Sequence, residues 1–292
     1  MKTSLVVLAA GMGSRYGGLK QMDPIGPGGR FILDYGVGDA LAAGVSDVVF
    51  VIRRDIEKDF RDLVGRRWEA RADVAYAFQS ADDVPPPFAV PPGRTKPWGT
   101  GQALLCALPL LHDAAVTVNA DDYYGASGFA SLLAQLERTA AAPSAHAMVA
   151  YRLANTLSAN GTVSRGVCDV AEDGSLRGIA EKTALARGAD GAIRNAGEDA
   201  RYPDDTPVSM NLFGFKRRFV EQLSEDFPRF LAKYGDAPKS EFQVPTALAS
   251  RMRRGDASVA VLRSADRWYG VTSRADRDEV AAFFKTLPDP LR

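Results

Sequence analysis

The chain is 292 residues long, 46% hydrophobic, 25% charged and 9% aromatic, a composition that excludes a disordered or low-complexity protein. That length makes one large α/β domain or two small ones, and it removes roughly three quarters of the unfolded surface from water, so neither disulfides nor a structural metal is needed for folding. Lys plus Arg and Asp plus Glu both number 36, which excludes an overall electrostatic pull towards nucleic acid or an anionic membrane. Any anion site must be local.

Two cysteines, Cys106 and Cys168, lie in hydrophobic surroundings and read as buried thiols of a reducing compartment. With only His112 and His146 present, a His/Cys zinc site is not expected. The apolar run Leu5 to Ala10 is too short to span a bilayer and runs into glycines without a cleavage signal, so a cytoplasmic location is expected.

In chain order, apolar runs alternate with amphipathic stretches. Strands are predicted over Ser4 to Ala9, Asp47 to Ile52, Asp73 to Phe78, Ala115 to Asn119 and Ala145 to Tyr151, with helices over Phe31 to Ala43, Asp55 to Gly65, Gly101 to Leu111 and Gly128 to Ala142. Such alternation predicts a doubly wound, mostly parallel α/β sheet. The second half changes character. Gly166 to Val170 and Leu176 to Ala180, joined through Asp173-Gly174, predict a β-hairpin, and Val208 to Phe215 a further strand. Helices are predicted over Phe219 to Tyr234, Phe242 to Arg253 and Arg274 to Thr286, with a short strand over Ser258 to Leu262. The Pro-rich stretch from Val84 to Gly93 is a loop, because the alternation resumes after it. One domain is expected over 1–292, with halves at about 1–150 and 151–292.

The strongest chemical signal follows the first strand: Leu8-Ala9-Ala10-Gly11-Met12-Gly13-Ser14-Arg15-Tyr16-Gly17-Gly18-Leu19-Lys20-Gln21. Glycines let the backbone turn tightly and offer its N–H groups to an anion, and Arg15 and Lys20 add the fixed positive charge that a triphosphate needs. Gly11, Gly13 and Gly17 are spaced one residue too widely for a dinucleotide fingerprint, and Gly18 is followed by Leu19 where a Walker A loop needs Lys. A phosphate site of another kind is therefore expected. Further on, Val118-Asn119-Ala120-Asp121-Asp122 puts two carboxylates at the end of a buried strand, where open α/β sheets bind ligands. Strand alternation would turn only one of the two towards the site.

The first of these segments resembles the signature of the sugar-1-phosphate nucleotidyltransferases, the glucose-1-phosphate thymidylyl- and uridylyltransferases, which carry Leu-Ala-Ala-Gly, then Gly-x-Arg and a Lys. Further motifs recur in order over most of the chain. Lys96-Pro97-Trp98-Gly99-Thr100-Gly101-Gln102 resembles the family's second glycine loop, with Thr100 a candidate cap for the helix from Gly101. Gln79 matches its base-reading glutamine, Asp121 its metal-binding aspartate, Glu181-Lys182 its sugar and sugar-phosphate pair, and Gly166 and Asn211 positions that meet the sugar.

The resemblance implies a Rossmann-like nucleotidyltransferase sheet with a small hairpin and helical sugar-binding excursion. It implies a Mg²⁺-dependent enzyme that joins a nucleoside triphosphate, UTP or dTTP favoured, to a sugar 1-phosphate and releases pyrophosphate. Arg15, Lys20 and Lys182 are the expected catalytic cations; Ala10, Gly11, Gly13, Gln79, Gly99 and Thr100 would bind the nucleotide, Gly166, Glu181 and Asn211 the sugar, and Asp121 the metal. One departure stands out. Where many members carry a second metal-binding Asp after a Trp, this chain reads Trp268-Tyr269-Gly270-Val271-Thr272-Ser273. Either Asp122 or Asp266 substitutes, or Asp121 acts with phosphates and water, or catalysis is lost. The alternatives are thus a silent nucleotide-sugar-binding regulator and a transferase acting on a non-sugar phosphorylated alcohol. A glycosyltransferase with Asp-x-Asp ligands fits less well, because Asp121 and Asp122 are adjacent.

Overall fold

A computed structural model of the chain describes residues 1–11, 24–270 and 276–291. The first half contains β1 (Thr3–Leu8), α1 (Ile32–Ala43), β2 (Asp47–Ile52), α2 (Glu57–Phe60), α3 (Arg66–Glu69), β3 (Val74–Phe78), α4 (Thr100–Ala107), β4 (Ala114–Asn119), β5 (Asp122–Tyr123), α5 (Ala126–Arg138) and β6 (Ala145–Arg152). The second contains β7 (Val163–Val170), β8 (Leu176–Arg187), β9 (Ile193–Asn195), β10 (Arg201–Tyr202), β11 (Pro207–Lys216), α6 (Arg217–Tyr234), α7 (Val244–Arg253), β12 (Ser258–Ser264), β13 (Tyr269–Gly270) and α8 (Asp276–Phe284).

Strand alternation explains the layers. Leu5, Val7, Val48, Phe50 and Ile52 pack on one side of the sheet with Leu33 and Val37 of α1 and Phe129, Leu132 and Leu136 of α5. Val6, Val49 and Val51 pack on the other with Leu104 of α4 and Phe219, Leu223 and Phe227 of α6. The strands are apolar at consecutive positions because both faces are covered by helices, as a doubly wound sheet requires. Helix ends follow local chemistry. The Asp34 carboxylate accepts the Phe31 N–H at 2.8 Å at the start of α1, and Gly44 closes the helix in the left-handed region, φ 106°.

The predicted helix over Asp55 to Gly65 is instead a broken run, α2 and α3 joined by a π turn at Arg61–Gly65. The sheet is also more mixed than strand counting suggests. β3, β2, β1 and β4 run parallel in the order β4-β1-β2-β3. β11 then inserts antiparallel between β4 and β6, so the strand predicted to continue the parallel series is separated from β4. β12 lies parallel to β6 beyond it, and β7 to β10 extend the sheet as antiparallel ribbons. The chain order reverses between β1 and β4, and this switch point, at the carboxyl ends of the strands, is where an open α/β sheet leaves a crevice.

Among the described residues, no helix is long and apolar enough to cross a membrane. Cys168 is buried whereas Cys106 is only partly so; burial pushes both thiols up to about 12, out of the reactive range.

Candidate active site

A cavity of about 940 Å³ opens over the switch point. Its walls come from the ends of β1 and β4, from the loop into α4, from the β7–β8 hairpin, from β11 and from α7. Of the residues singled out in the sequence, Ala10, Gly11, Gln79, Gly99, Thr100, Asp121, Gly166, Glu181 and Asn211 all line it. Gly13, Arg15 and Lys20 lie outside the described residues.

At the β3 end, Gln79 is fixed by its neighbours. Its amide NH₂ donates to Gly99 O at 2.8 Å and to Gln102 Oε1 at 3.0 Å. Gln102 Oε1 also accepts the Trp98 N–H at 2.7 Å, and its own NH₂ donates to Ser80 O at 2.7 Å. These partners set the orientation of both amides, so the acceptor Oε1 is the atom of Gln79 left to a ligand. The Gly99 backbone sits at φ 103°, and a side chain there would press on Phe242 O at 3.0 Å, so the loop needs glycine on both counts. Thr100 does not cap α4 as predicted. It is the first helical residue, with Gly99 at the cap position, and its hydroxyl accepts the Val244 N–H at 3.1 Å, tying α4 to the start of α7. Arg94 completes this clamp, stacking 3.4 Å over Trp98 and donating to Pro97 O and Ser240 O.

At the β4 end both Asp121 and Asp122 line the cavity, where alternation allowed only one. The reason is that β4 stops at Asn119 and β5 begins at Asp122, so the turn between them releases the pair from strand geometry. Asp122 Oδ2 accepts from Asn119 Nδ2 at 2.8 Å and from Tyr124 Oη at 3.3 Å. Asp266 does not take part: its Oδ2 accepts the Ser127 hydroxyl at 2.6 Å at the start of α5. Gly270 pairs with Asp122 across the β13–β5 ribbon. A Cβ at Gly270 would run into the Trp268 ring and lie 2.9 Å from Asp122 Oδ1, so the indole occupies the space of a missing side chain. Trp268 is 8% exposed and lines the cavity, and its buried Nε1 has no hydrogen-bond partner among the described residues.

In the second half, Gly166 and Glu181 face each other across β7 and β8. A Cβ at Gly166 would meet Ile179 Cγ2 at 2.7 Å, with Glu181 Oε2 3.7 Å away; glycine keeps this wall open. Burial raises the Glu181 carboxyl above its ordinary value, with the Arg165 charge opposing it. Asn211 lies at φ 67°, inside the register shift of β11 between Ser209 and Phe213. A non-glycine residue held left-handed in a cavity wall marks a site at which packing over-determines the backbone. Lys182 is not among the lining residues: its ammonium donates to Glu198 Oε1 at 2.7 Å, and this hydrogen bond raises its pKa.

Arg165, not singled out in the sequence, does line the cavity and is 6% exposed. Its guanidinium donates to the carbonyls of Thr156 and Ser164 and stacks 4.7 Å over the Trp268 ring. Burial pulls its pKa down to about 10 against the attraction of Asp122 and Glu181, so it stays charged at neutral pH. An Arg directly before Gly166, at a position that alternation turns to the same face as the apolar Val163 and Val167, was the available signal. Asp121 and Asp122 supply hard oxygen donors at one place, which suits Mg²⁺ completed by phosphate and water; among the described residues no cluster of three acidic, His or Cys side chains accompanies them.

The fold has counterparts. A crystal structure assigned as a glucose-1-phosphate thymidylyltransferase from Bacillus anthracis, in complex with a sucrose, is similar over 98% of this chain and 96% of its own, at 12% identity and a TM-score of 0.64. HddC from Yersinia pseudotuberculosis is similar over 97% and 99%, at 14% identity and a TM-score of 0.60. No curated protein sequence matches. The sequence model of the Nucleotidyl transferase family matches residues 4–280, and the chain belongs to that family.

Proposed function

We propose that the protein joins a nucleoside triphosphate to a sugar 1-phosphate, giving a nucleotide sugar and pyrophosphate. The observation that carries this reading is one continuous cavity. Ala10, Gly11, Gln79, Asp121, Asp122, Glu181 and Asn211 all line it, which supports a single site for a base, a polyphosphate and a sugar. The assigned activity of the Bacillus anthracis structure supports the same class.

A phosphate oxygen of the sugar 1-phosphate attacks the α-phosphorus as pyrophosphate leaves, so the protein aligns two polyanions and needs no covalent nucleophile. Gln79 Oε1 accepts an imino N–H of the base, which favours uracil or thymine over cytosine. Gly99 and Thr100 seat the base, Ala10, Gly11 and Gly13 approach the phosphates, and Arg15 and Lys20 hold the triphosphate and leaving group. Glu181, Asn211 and the Gly166 backbone orient the sugar hydroxyls. Asp121, with Asp122 beside it, would hold Mg²⁺, which supplies charge neutralisation on the phosphates when bound.

A grid of nucleoside triphosphates against sugar 1-phosphates and a non-sugar phosphorylated alcohol, scored by pyrophosphate release with and without Mg²⁺, tests the reading. UTP or dTTP with a sugar 1-phosphate should release pyrophosphate, and Asp121→Ala should slow it on the order of 10²-fold. Gly270 favours a second reading, a silent nucleotide-sugar-binding regulator. Saturable nucleotide binding with silence across the whole grid would establish that instead.

A further inference from the structure

The acceptor's phosphate needs a cation, and Lys182, which the motif offers for it, is bound to Glu198 outside the cavity wall. Two other groups stand at the right place. Trp268 carries a buried indole N–H with no acceptor among the described residues, and a buried donor left unmade is costly unless a ligand supplies the acceptor. Its ring borders Gly270, where an added Cβ would meet both the indole and Asp122 Oδ1, which places the residue at the acidic end of the cavity. Arg165 stacks on that ring at 4.7 Å, is held by backbone carbonyls, and among the described residues meets no carboxylate within ion-pair distance. Both side chains belong to residues lining the cavity. Arg165 also immediately precedes Gly166, which faces Glu181, so the pair joins the acidic end to the proposed sugar half.

We infer that Trp268 and Arg165 form an anion clamp for the phosphate monoester of the acceptor substrate: the indole N–H donates to a phosphate oxygen and the stacked guanidinium neutralises its charge. The inference rests on the transferase reading for which phosphate is bound. The binding itself rests on the orphan donor and the buried cation. An indole N–H is a donor only, so the ligand atom must be an acceptor, and a neighbouring guanidinium that among the described residues is held by carbonyls alone selects an anionic one. Gly270 serves the clamp by leaving room for the indole beside Asp122.

The test is calorimetric titration of the full chain with inorganic phosphate and with α-D-glucose 1-phosphate, in Mg²⁺ and without nucleotide. Trp268→Phe keeps an aromatic ring for Arg165 to stack on but removes the N–H, and is expected to weaken both probes on the order of 10-fold while the chain still unfolds cooperatively. Arg165→Gln should weaken them further, and Arg165→Lys should recover part of the loss. Lys182→Ala should leave phosphate affinity within about 2-fold. No saturable binding of either probe, or equal affinity in Trp268→Phe, overturns the clamp. So does loss of affinity in Lys182→Ala with none in Trp268→Phe, since the role then belongs to Lys182. If the clamp variants behave as expected while no nucleotide yields pyrophosphate, the clamp stands and the transferase reading falls.

Discussion

Gln79 and Gln102 face each other in a fixed order, the NH₂ of the first donating to the Oε1 of the second at 3.0 Å while that oxygen also accepts the Trp98 N–H. A glutamine free to flip would serve as donor or acceptor to any base. This one is locked, and the lock converts a permissive side chain into a selective one. Wild-type protein should therefore bind UTP or dTTP more tightly than CTP by about 10-fold, the worth of one well-placed hydrogen bond and an avoided mismatch. Gln102→Ala frees the Gln79 amide to rotate, and the ratio of the UTP and CTP dissociation constants, measured without acceptor, should approach unity. A ratio unchanged in that variant would show that Gln102 does not set the preference.

The packing at Gly270 makes a second prediction. Any Cβ there collides with Trp268, so Gly270→Ala should destabilise by about 1–3 kcal/mol, the ordinary cost of overpacking. Gly270→Asp should do at least as much and should not tighten Mg²⁺ binding, because the carboxylate has no room beside the indole. Denaturant unfolding of Gly270→Ala, Trp268→Ala and the double variant should show the two changes coupled, with the glycine substitution tolerated once the ring is gone. Additive effects would contradict the contact.

How much of this was legible in the sequence depended on how local the cause was. The strands β1, β2 and β4 were readable because two buried faces leave consecutive apolar residues, a signal written along the strand itself. The place of β11 was not, since an apolar run says nothing of its neighbours or direction, and its antiparallel insertion between β4 and β6 is a tertiary choice. In the site, Gln79, Asp121, Glu181 and Asn211 were legible through ordered motifs. Asp122 was placed on the wrong face because alternation was carried past Asn119, where the strand ends. Gln102, Arg165 and Trp268 were missed for one reason: each meets a partner distant in sequence, Gln102 meeting Gln79 and Arg165 and Trp268 meeting each other, and only folding brings the pairs together.

Two titrating groups, the part-buried Asp39 and the buried His146, set opposite pH slopes. Burial is the largest influence raising the Asp39 carboxyl to about 6, with the Tyr123 hydroxyl opposing and the Asp266 charge adding to it. The folded state then holds that proton more tightly than the unfolded chain, so stability is fullest below about pH 4 and is lost as pH rises to 6. Burial and the Lys216 charge lower His146 to about 4. Here the unfolded chain protonates first, so stability is full above about pH 6.5 and is lost as pH falls to 4. Between pH 4 and 6 the two slopes offset each other. Asp39→Asn should leave a stability that climbs with pH across this window, and His146→Gln one that falls, as measured by denaturant unfolding at intervals of half a pH unit. Parallel profiles for wild type and both variants would remove these assignments.

Asn211 separates what the backbone needs from what the site needs. At φ 67° the position is left-handed, a conformation that Asn tolerates better than most residues but that Gly adopts at no steric cost. Asn211→Ala should therefore lose about 1 kcal/mol of stability together with acceptor affinity. Asn211→Gly should keep the stability or gain a few tenths of a kcal/mol, yet lose the side chain that faces the cavity. If the amide contacts the sugar, both variants raise KM for the sugar 1-phosphate by a similar factor, on the order of 10-fold, while their melting temperatures diverge. Were Asn211 present only to shape the bulge of β11, the glycine variant would retain wild-type KM, because the bend it favours is the one already there. The pair of measurements thus assigns the residue to the substrate or to the strand.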